Sequence, residues 1–558
     1  MGERSCSDGA AVARDESAVI LLLSCAGVST KRGREIPILK DSRSSDANSP
    51  SADAAGNAID SVFAGSAAQR RMITASIMLA SIMQVLDTTI ANVALPHIQG
   101  ALSATQDQIA WVLTSYIVAS AIMTPLTGWL AGRVGRKRVL LASIAGFTIS
   151  SMLCGLAQTL PQLVIGRLLQ GACGASIIPM GQAVTLDINP PERHMRAMAI
   201  WSMTITLGPI AGPAFGGWLT ESYNWRWVFY INVPFGVLSF LGILGAMRET
   251  KIKRSMFDFF GFAALSLAVG ALQLTLDRGQ LKDWFNSTEI CIEASVAALA
   301  LYLFCVHMLT TTKTPFLEPG LFKDRNCMAG CVFIFIVGLI VYATLALLPP
   351  MLQGLMGYPV ITTGIVTAPR GVGSLVSMVL IGPIAHRVDM RWVICVGFAI
   401  AAFSAWQMTH FDLQMGADAV MWSGLAQGLG SGLVTVPLAG AAFATLSPHL
   451  RNEGAAFYSL FRNLGSSVGI SVVEALLTRN TQIVHASLVG HLNPYNTVVR
   501  EHLPQTIMSL RQLTALDAEV TRQAAMVAYD DNFKLMMWLA ILAIPAVLLL
   551  RPATASPR

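Results

Sequence analysis

The sequence predicts an all-α membrane protein with fourteen transmembrane helices. Of its 558 residues, 54% are hydrophobic and 13% are charged, whereas charged residues make up about a quarter of a soluble globular protein. A membrane crossing needs about 20 mainly apolar residues, and the chain contains repeated runs of that length after residue 71. Basic residues concentrate in alternate loops, which is typical of a protein that crosses the membrane many times.

The apolar runs divide the chain into fourteen predicted spans. They cover 72–95, 109–131, 138–157, 161–186, 196–220, 228–247, 257–276, 289–309, 327–354, 361–386, 391–409, 418–446, 453–477 and 533–551. An even number of spans places both termini on the same side of the membrane.

Basic residues in the short loops predict the orientation. The loops on the side of the amino terminus carry Arg133, Arg136, Lys137, Arg138, Arg193, Arg196, Arg248, Lys251, Lys253, Arg254, Lys313, Lys323, Arg325, Arg387, Arg391 and Arg451. The opposite short loops carry only Arg226, Arg278 and Lys282. Because Lys and Arg accumulate in cytoplasmic loops, both termini are predicted to be cytoplasmic. The net charge of +6 therefore gives no reason to expect nucleic-acid binding.

The first 71 residues differ in composition from the spans. They are rich in Ser, Ala, Asp and Gly, and their one apolar run, 18–28, is too short to cross a bilayer. Before this run the acidic residues outnumber the two basic ones, Arg4 and Arg14, so the start is not the basic one that a signal peptide needs. We expect a disordered cytoplasmic tail over 1–71, or a start codon placed too far upstream, and a short cytoplasmic tail over 552–558.

Span five carries a glycine and proline pattern that favours close helix packing. This glycine–proline motif comprises Gly208, Pro209, Gly212, Pro213, Gly216 and Gly217. Glycines spaced by four residues share one helix face and let another backbone approach, and proline is tolerated in a membrane helix. A single pair of small residues would indicate only an ordinary helix contact, but three phased glycines predict a specialised seam.

Asp87 in span one and Arg167 in span four are charged residues within apolar helices. At about 1.5 Å per residue, both lie roughly 21–22 Å from the inner ends of their spans. Charges at this depth usually face the bundle interior or water, and a pair would lower the cost of each. The pair could bind and release a proton, or it could be a fixed ion pair that only sets helix register.

The loop between spans two and three has the sequence Gly-Trp-Leu-Ala-Gly-Arg-Val-Gly-Arg-Lys-Arg over 128–138. Its residues Gly128, Arg133, Gly135, Arg136 and Lys137 combine glycines with regularly placed basic side chains. The glycines predict a tight turn that can dock against neighbouring helix ends. Positive-inside anchoring alone is the alternative.

Together these motifs resemble the major facilitator superfamily, specifically its fourteen-span drug:proton antiporters of the EmrB/QacA type. The resemblance covers 72–551. It rests on the stretch from Leu86 to Pro96, the loop 128–138, the stretch 166–171 (Gly-Arg-Leu-Leu-Gln-Gly) and the glycine–proline motif. The stretches 201–204, 225–234 and 276–285 look specifically EmrB-like. Four motifs in the right order make the match specific.

The resemblance implies two six-helix bundles around a central cavity, with two inserted helices between them. The bundles would be 72–247 and 327–551, and the insertion 257–309. Asp87 would couple protons, the loop 128–138 would act as a gate, and the glycine–proline motif would pack tightly. The resemblance implies cavity polarity at Arg167 and Gln170. We also expect Asn92, Arg370, Arg462 and Asn463 in the substrate cavity. Many relatives have an acid where this chain has Gly132, which puts an acid-mediated latch between the bundles in doubt.

The second half carries polar groups near mid-membrane. Arg370 and Arg462 each lie about 13 Å from one end of their span. They could bond carbonyls that Pro and Gly leave exposed, or they could adapt the cavity to weakly acidic or neutral amphiphiles. Glu474 lies near the outer end of its span, which favours interfacial solvation over proton coupling.

The stretch 478–532, between the last two spans, is too long for a simple turn. Its apolar residues Ile507, Leu510, Leu513 and Leu516 have helical spacing. By orientation the stretch lies outside. It resembles the periplasmic loop of EmrB-like pumps, which implies a membrane-fusion adaptor and an outer-membrane channel as partners. A cap that packs on its own bundle is the alternative.

These observations predict a secondary exporter in the inner membrane of a two-membrane bacterium, which exchanges protons for small amphipathic compounds. An exporter of one endogenous metabolite, such as a siderophore, and a non-transporting scaffold or sensor are the alternatives. No phosphate-binding loop or zinc-protease motif is present, so we expect neither an enzyme nor a cofactor. Cys327 and Cys331 share a helix face, but two thiols make a poor metal site, so packing is the preferred interpretation.

Overall fold

The computed structural model describes residues 66–190, 193–249, 256–311, 315–384, 388–447, 450–492 and 510–550. Every regular element in these ranges is a helix, which confirms the predicted all-α class. The α-helices are α1 (Ala67–Leu102), α2 (Gln106–Met123), α3 (Leu126–Val134), α4 (Arg136–Leu156), α5 (Leu160–Gly174), α6 (Ile177–Asp187), α7 (His194–Ser222), α8 (Trp227–Tyr230), α9 (Asn232–Ala246), α10 (Phe259–Arg278), α11 (Thr288–Thr310), α12 (Pro319–Lys323), α13 (Arg325–Pro350), α14 (Val360–Ile384), α15 (Met390–Met408), α16 (Ala417–Ala444), α17 (Arg451–His491) and α18 (Leu510–Ala546).

The apolar helices agree with most of the predicted spans. In the described ranges, eleven helices are long and apolar enough to cross a membrane, or twelve if the bent pair of α2 and α3 is one span. The remaining two of the fourteen predicted spans lie on α7 and α18 and stay predictions. The first helix begins at Ala67, so the last residues of the predicted tail are helical; residues 1–65 and 551–558 lie outside the described ranges.

Spans two and four are each broken into two helices. The chain bends by 57° between α2 and α3, at Pro125, which precedes α3 and has no backbone N–H to donate. Span four is interrupted between α5 and α6 at Ala175 and Ser176. The Thr127 and Ser176 hydroxyls are 3.0 Å apart and form a hydrogen bond. The two breaks therefore lie side by side and satisfy each other's polar groups.

The helices form two packed groups with α10 between them. In the amino-terminal group, α1 packs on α7 and α9, and α5 packs on α2 and α4. In the carboxyl-terminal group, α16 packs on α14 and α15, and α17 packs on α13 and α18. The groups meet where α7 contacts α14 and α16, and where α17 contacts α3 and α6. The inserted helix α10 contacts both α2 and α17, and α11 packs on α10.

The stretch 478–532 is mainly helical. The 41-residue helix α17 and the 37-residue helix α18 would be about 61 and 55 Å long at 1.5 Å per residue, well beyond a hydrocarbon core of about 30 Å. In the part that projects, His485 bonds Asp517 across the two helices at 3.0 Å. Residues 493–509, which include the predicted Ile507, lie outside the described ranges.

One of the tightest contacts of the carboxyl-terminal group joins α14 and α16 at glycines. A Cβ added at Gly428 would overlap the Arg370 carbonyl and lie 2.9 Å from the Ser374 backbone nitrogen. A Cβ at Gly424, one turn earlier on the same face, would lie 3.6 Å from the Arg370 Cβ, which is an ordinary contact. Of these two positions, Gly428 is therefore the one that requires glycine for reasons of space.

We expect Gly428→Ala to separate α14 from α16 and to destabilise the protein by about 1–3 kcal/mol, the usual cost of overpacking. The measurement is the thermal unfolding midpoint of purified protein in detergent. Gly424→Ala is the matched control and should keep the wild-type midpoint or raise it, since alanine favours helix more than glycine does. Equal effects of the two substitutions would contradict this account of the contact.

Candidate functional site

The centre of the amino-terminal group is a carboxylate that accepts three hydrogen bonds. Arg167 Nη1 donates to Asp87 Oδ2 at 2.6 Å, Gln170 Nε2 donates to Oδ1 at 2.8 Å, and Asn232 Nδ2 donates to Oδ1 at 2.6 Å. All four residues are fully buried. We call them the carboxylate network. It joins α1, α5 and α9 away from bulk solvent.

The Arg167 guanidinium has a partner on each side. Its Nε donates to the Val112 carbonyl at 3.1 Å, and Nη1 also donates to Gln170 Oε1 at 2.8 Å. The Tyr116 ring lies beneath it, 4.3 Å from the guanidinium carbon to the ring centroid. A buried charge is costly unless it is paired and hydrogen-bonded, and these contacts meet that requirement.

The sequence interpretation missed Asn232 as a site residue. Asn232 is the first residue of α9, and it also donates to Ser151 Oγ on α4 at 2.9 Å. Ser151 in turn donates to the Phe229 carbonyl at 2.8 Å. The available signal was a polar residue at the start of the apolar span six. Asn92, a predicted cavity residue, is exposed on another face of α1 and does not join the network.

The glycine–proline motif forms the contact between α7 and α1. A Cβ at Gly208 would collide with Val85, and one at Gly212 would collide with Thr89. A Cβ at Gly216 would lie 3.0 Å from Ile90 Cγ2, which is a tight contact. Thr89 also donates its hydroxyl to the Gly208 carbonyl at 3.3 Å. We call this contact of the three α7 glycines with α1 the glycine seam. Its α1 residues flank Asp87 in sequence, so the glycine seam holds the helix that carries the carboxylate.

Gly217 differs from the other glycines of the motif. A Cβ there would meet no atom within 4 Å, so the prediction that Gly217 packs tightly was wrong: it lies on a face that α1 does not cover. Pro209 and Pro213 lie within α7, and their side chains are outside the described residues.

The loop 128–138 contacts the carboxyl-terminal group of helices. The backbone of Glu453 on α17 lies so close to Gly128 that an added Cβ would be 3.1 Å from its Cα. Gly135 has φ +98°, which favours glycine. Lys137 donates to the Leu244 carbonyl at 2.8 Å, and Arg133 lies over the Trp129 ring. The predicted loop is thus helical on both sides of Gly135, where it turns, and its contact with the other group is at Gly128, whereas Arg133 and Lys137 contact their own group.

An acid does connect the two groups here, although Gly132 is not one. Asp187, at the end of α6, bonds Arg136 in its own group, and Arg451 Nη1 of the other group donates to Asp187 Oδ1 at 2.8 Å. We call this the ion bridge. Each charge sits at the helix end where the macrodipole disfavours it, so the three compensate one another. Asp187, which the sequence interpretation did not select, thus supplies an acid between the two groups that Gly132 cannot supply.

The surroundings of the ion bridge reinforce it. The Asn452 amide, with its oxygen toward Arg136, accepts from Nε at 2.9 Å. His194, at the start of α7, bonds the Asn189 carbonyl at 2.9 Å. Burial lowers the pKa of His194, and the positive charge of Arg451 lowers it further, so His194 adds no positive charge at neutral pH.

The predicted cavity residues of the second half are separate from the carboxylate network. Arg370 lies on α14 and is buried, whereas Arg462 and Asn463 lie on α17 and are half-buried. The Arg462 carbonyl packs against Gly338 of α13, at 2.5 Å from the position of an added Cβ. Glu474 is exposed on α17. In the described residues, no group of three or more His, Cys, Asp or Glu is placed to hold a metal ion.

A sequence profile described as Major Facilitator Superfamily matches residues 77–470. The chain belongs to the major facilitator superfamily. This major facilitator protein is 36% identical to the multidrug export protein EmrB of Haemophilus influenzae over 86% of its own length and 94% of the relative's. It is 36% identical to EmrB of Escherichia coli K12, over 84% and 92% of the two chains.

Two further comparisons extend the family assignment. The major facilitator protein is 37% identical to the fatty acid resistance protein FarB of Neisseria gonorrhoeae, over 86% of this chain and 96% of the relative. A solved structure, the human organic anion transporter MFSD10 (TETRAN), matches with a TM-score of 0.54 at 13% identity and covers 84% of this chain and 99% of its own. The structural match supports the fold alone. The family and fold are those of multi-pass membrane transporters of the EmrB-like type.

We expect Asp187→Asn to weaken the closure of this major facilitator protein at the ion bridge. Without the carboxylate, Arg136 and Arg451 lose a charge-assisted hydrogen bond each, at about 1.5–3 kcal/mol per bond. Spin labels at Val134 and Lys323 would report the distance between the groups by pulsed electron resonance, and the variant should show a longer-distance population.

Glu249→Gln is the matched control for that experiment. Glu249 pairs with Arg138 at 3.3 Å within the amino-terminal group, and Arg138 is mostly exposed. The control should therefore keep the wild-type distance distribution. An unchanged distribution in Asp187→Asn would show that the ion bridge does not hold the groups together.

Proposed function

We propose that this protein is a proton-driven exporter of amphipathic toxic compounds in a bacterial inner membrane. The observation that carries the proposal is the buried Asp87–Arg167 pair beside the glycine seam between α1 and α7. The pair provides a titratable group inside a transporter fold. The similarity to two multidrug export proteins supports the direction of transport and the substrate breadth.

The carboxylate network suggests how a proton could drive the change in shape. Ionised Asp87 compensates Arg167 and accepts from α5 and α9 together. Protonation would remove the charge that compensates Arg167 and convert one acceptor oxygen into a donor. The contacts that hold α1 against α5 and α9 would then weaken. In this scheme Asp87 is the coupling acid, and Gln170 and Asn232 position it.

The remaining predicted roles follow from this scheme. Residues 72–247 and 327–551 are the two bundles that move, and 257–309 is the insertion. The ion bridge and the loop 128–138 close the cytoplasmic end, with both termini on that side. Arg167, Gln170, Arg370, Arg462, Asn463 and Asn92 line the path of the substrate.

The projecting parts of α17 and α18 are proposed to bind a periplasmic adaptor that continues to an outer-membrane channel. Their supporting features are exposed apolar side chains: Ile483 is 55% exposed and Leu513 is 49% exposed. Closer to the bundle, Ala524 and Met526 are buried, and Arg522 donates to the Leu355 carbonyl at 3.3 Å. The base of the projection thus packs as a cap, whereas Ile483 and Leu513, farther along the two helices, present apolar side chains to a partner of complementary surface.

We expect Asp87→Asn to abolish substrate-induced proton movement, because the amide keeps the shape of the carboxylate but cannot exchange a proton. Energised everted vesicles, a pH-sensitive dye and a panel of neutral, cationic and weakly acidic amphiphiles provide the measurement. The Asp87→Asn vesicles should give no response above background.

Glu474→Gln is the control substitution, because Glu474 is exposed near the end of its span. Substrate-induced proton movement in the Glu474→Gln vesicles should remain within about twofold of wild type. Substrate-induced proton movement that survives in Asp87→Asn would remove Asp87 as the coupling acid. A response to one compound alone would favour the metabolite exporter. The absence of any response in wild type would favour the scaffold or sensor.

The similarity to a fatty acid resistance protein gives a second candidate function, the export of amphipathic acids. It differs from broad multidrug export in requiring a site for a negative charge, and the same vesicle panel distinguishes the two.

A further inference from the structure

The carboxyl-terminal group contains a buried arginine whose hydrogen bonding is incomplete. Arg370 on α14 is 8% exposed. Its Nη2 donates to the Val341 carbonyl of α13 at 2.7 Å. Its Nη1 is buried and has no hydrogen-bond partner among the described residues. Because arginine stays protonated in proteins, Arg370 is a buried positive charge whose Nη1 group can still donate a hydrogen bond.

Arg370 also lacks the acid that its counterpart in the other group has. Arg167 is paired with Asp87 at 2.6 Å, whereas no carboxylate of the described residues lies within salt-bridge distance of Arg370. The acidic residues of this half lie near the ends of its predicted spans or within the stretch 478–532. They are Asp324, Asp389, Asp412, Asp418, Glu453, Glu474, Glu501, Asp517, Glu519, Asp530 and Asp531. An unpaired buried charge is costly, so the fold maintains a site where an anion would be stabilised.

The surroundings of Arg370 form a polar junction of three helices. On α16, Gly424 and Gly428 pack against the Arg370 backbone. Between them in sequence, Gln427 donates to Thr344 of α13 at 2.8 Å. Thr344 lies one turn beyond Val341, so Arg370 and Gln427 both reach α13 within about 5 Å along its axis. Gln427 Oε1 is also buried without a partner among the described residues.

The position of the junction matches a substrate path. α14 packs on α7 of the amino-terminal group, so Arg370 belongs to a helix that borders the interface between the groups. Tyr342 follows Val341, the residue whose carbonyl Arg370 bonds, and is half-buried. A ligand that reached this junction would meet the Arg370 guanidinium.

We propose that Arg370 is the anchor for the carboxylate of a singly charged amphipathic acid, whose apolar tail lies between the two helix groups. The planar guanidinium fork matches a carboxylate. One guanidinium suits one negative charge better than the two of a phosphate monoester. This inference deepens the proposed function, since it names the substrate class, and it rests on that function.

The test measures binding without a proton gradient, so its outcome is independent of whether transport is proton-driven. Radiolabelled dodecanoate is bound to the purified full-length protein in a scintillation proximity assay. Dodecanoate methyl ester, which has the same tail without the charge, and dodecyltrimethylammonium, which has the opposite charge, are tested as competitors. In wild type, unlabelled dodecanoate should displace the label at a concentration about tenfold or more below that of either competitor.

The variants assign that selectivity to Arg370. Arg370→Gln should weaken dodecanoate binding about tenfold or more relative to wild type. Arg370→Lys keeps the charge and should weaken it less, by about threefold to tenfold. Direct binding of labelled dodecyltrimethylammonium should change by less than about twofold in Arg370→Gln, which excludes a general loss of structure.

Equal binding of the acid and its ester by wild type would overturn the proposal, as would unchanged dodecanoate affinity in Arg370→Gln. If Arg370→Gln does not fold, the wild-type selectivity and the comparison with Arg370→Lys decide the question. Carboxylate binding at Arg370 without proton movement in vesicles would refute proton-driven efflux and leave the anion site standing. Proton-coupled export of cations alone, without dodecanoate binding, would refute the anion site at Arg370 and leave proton-driven efflux standing.

Discussion

The amino-terminal half depends on the compensation of one buried positive charge. Arg167 is held on α5 by the Asp87 carboxylate, the Val112 carbonyl and the Tyr116 ring, and Asp87 is in turn held by Gln170 and Asn232. Removing the Asp87 carboxylate would leave the Arg167 charge uncompensated in a low-dielectric interior, where the cost is several kcal/mol. The helices that carry these groups therefore share one stable arrangement while Asp87 is ionised.

The seam and the ion bridge transmit that arrangement to the second half. α1 carries Asp87, and its neighbouring residues fill the space that Gly208, Gly212 and Gly216 leave on α7. α7 then contacts α14 and α16 of the other group, and Asp187 joins the groups at the end where the loop 128–138 lies. A change at Asp87 can thus reach the interface through contiguous packed helices.

The two halves use their mid-membrane arginines differently. Arg167 is fully paired, whereas Arg370 has donors without partners in the described chain. A paired arginine, which itself stays protonated, suits a place beside a carboxylate that takes up and releases the proton. An unpaired charge suits a group whose partner arrives with a ligand. This division would place proton coupling in the amino-terminal group and substrate recognition in the carboxyl-terminal group.

The sequence by itself determined the membrane class, the positions of the helices, the four family motifs and the presence of Asp87 and Arg167 at one depth. These follow from local quantities, namely apolar run length, glycine spacing and 1.5 Å per residue. Only the tertiary structure decided that Asn232 joins Asp87, that Asp187 supplies the acid absent at Gly132, and that Gly217 is free of the seam. It also decided that Arg370 has no carboxylate partner among the described residues. Each of these depends on which faces of distant helices meet, and helical periodicity specifies a face without specifying its partner.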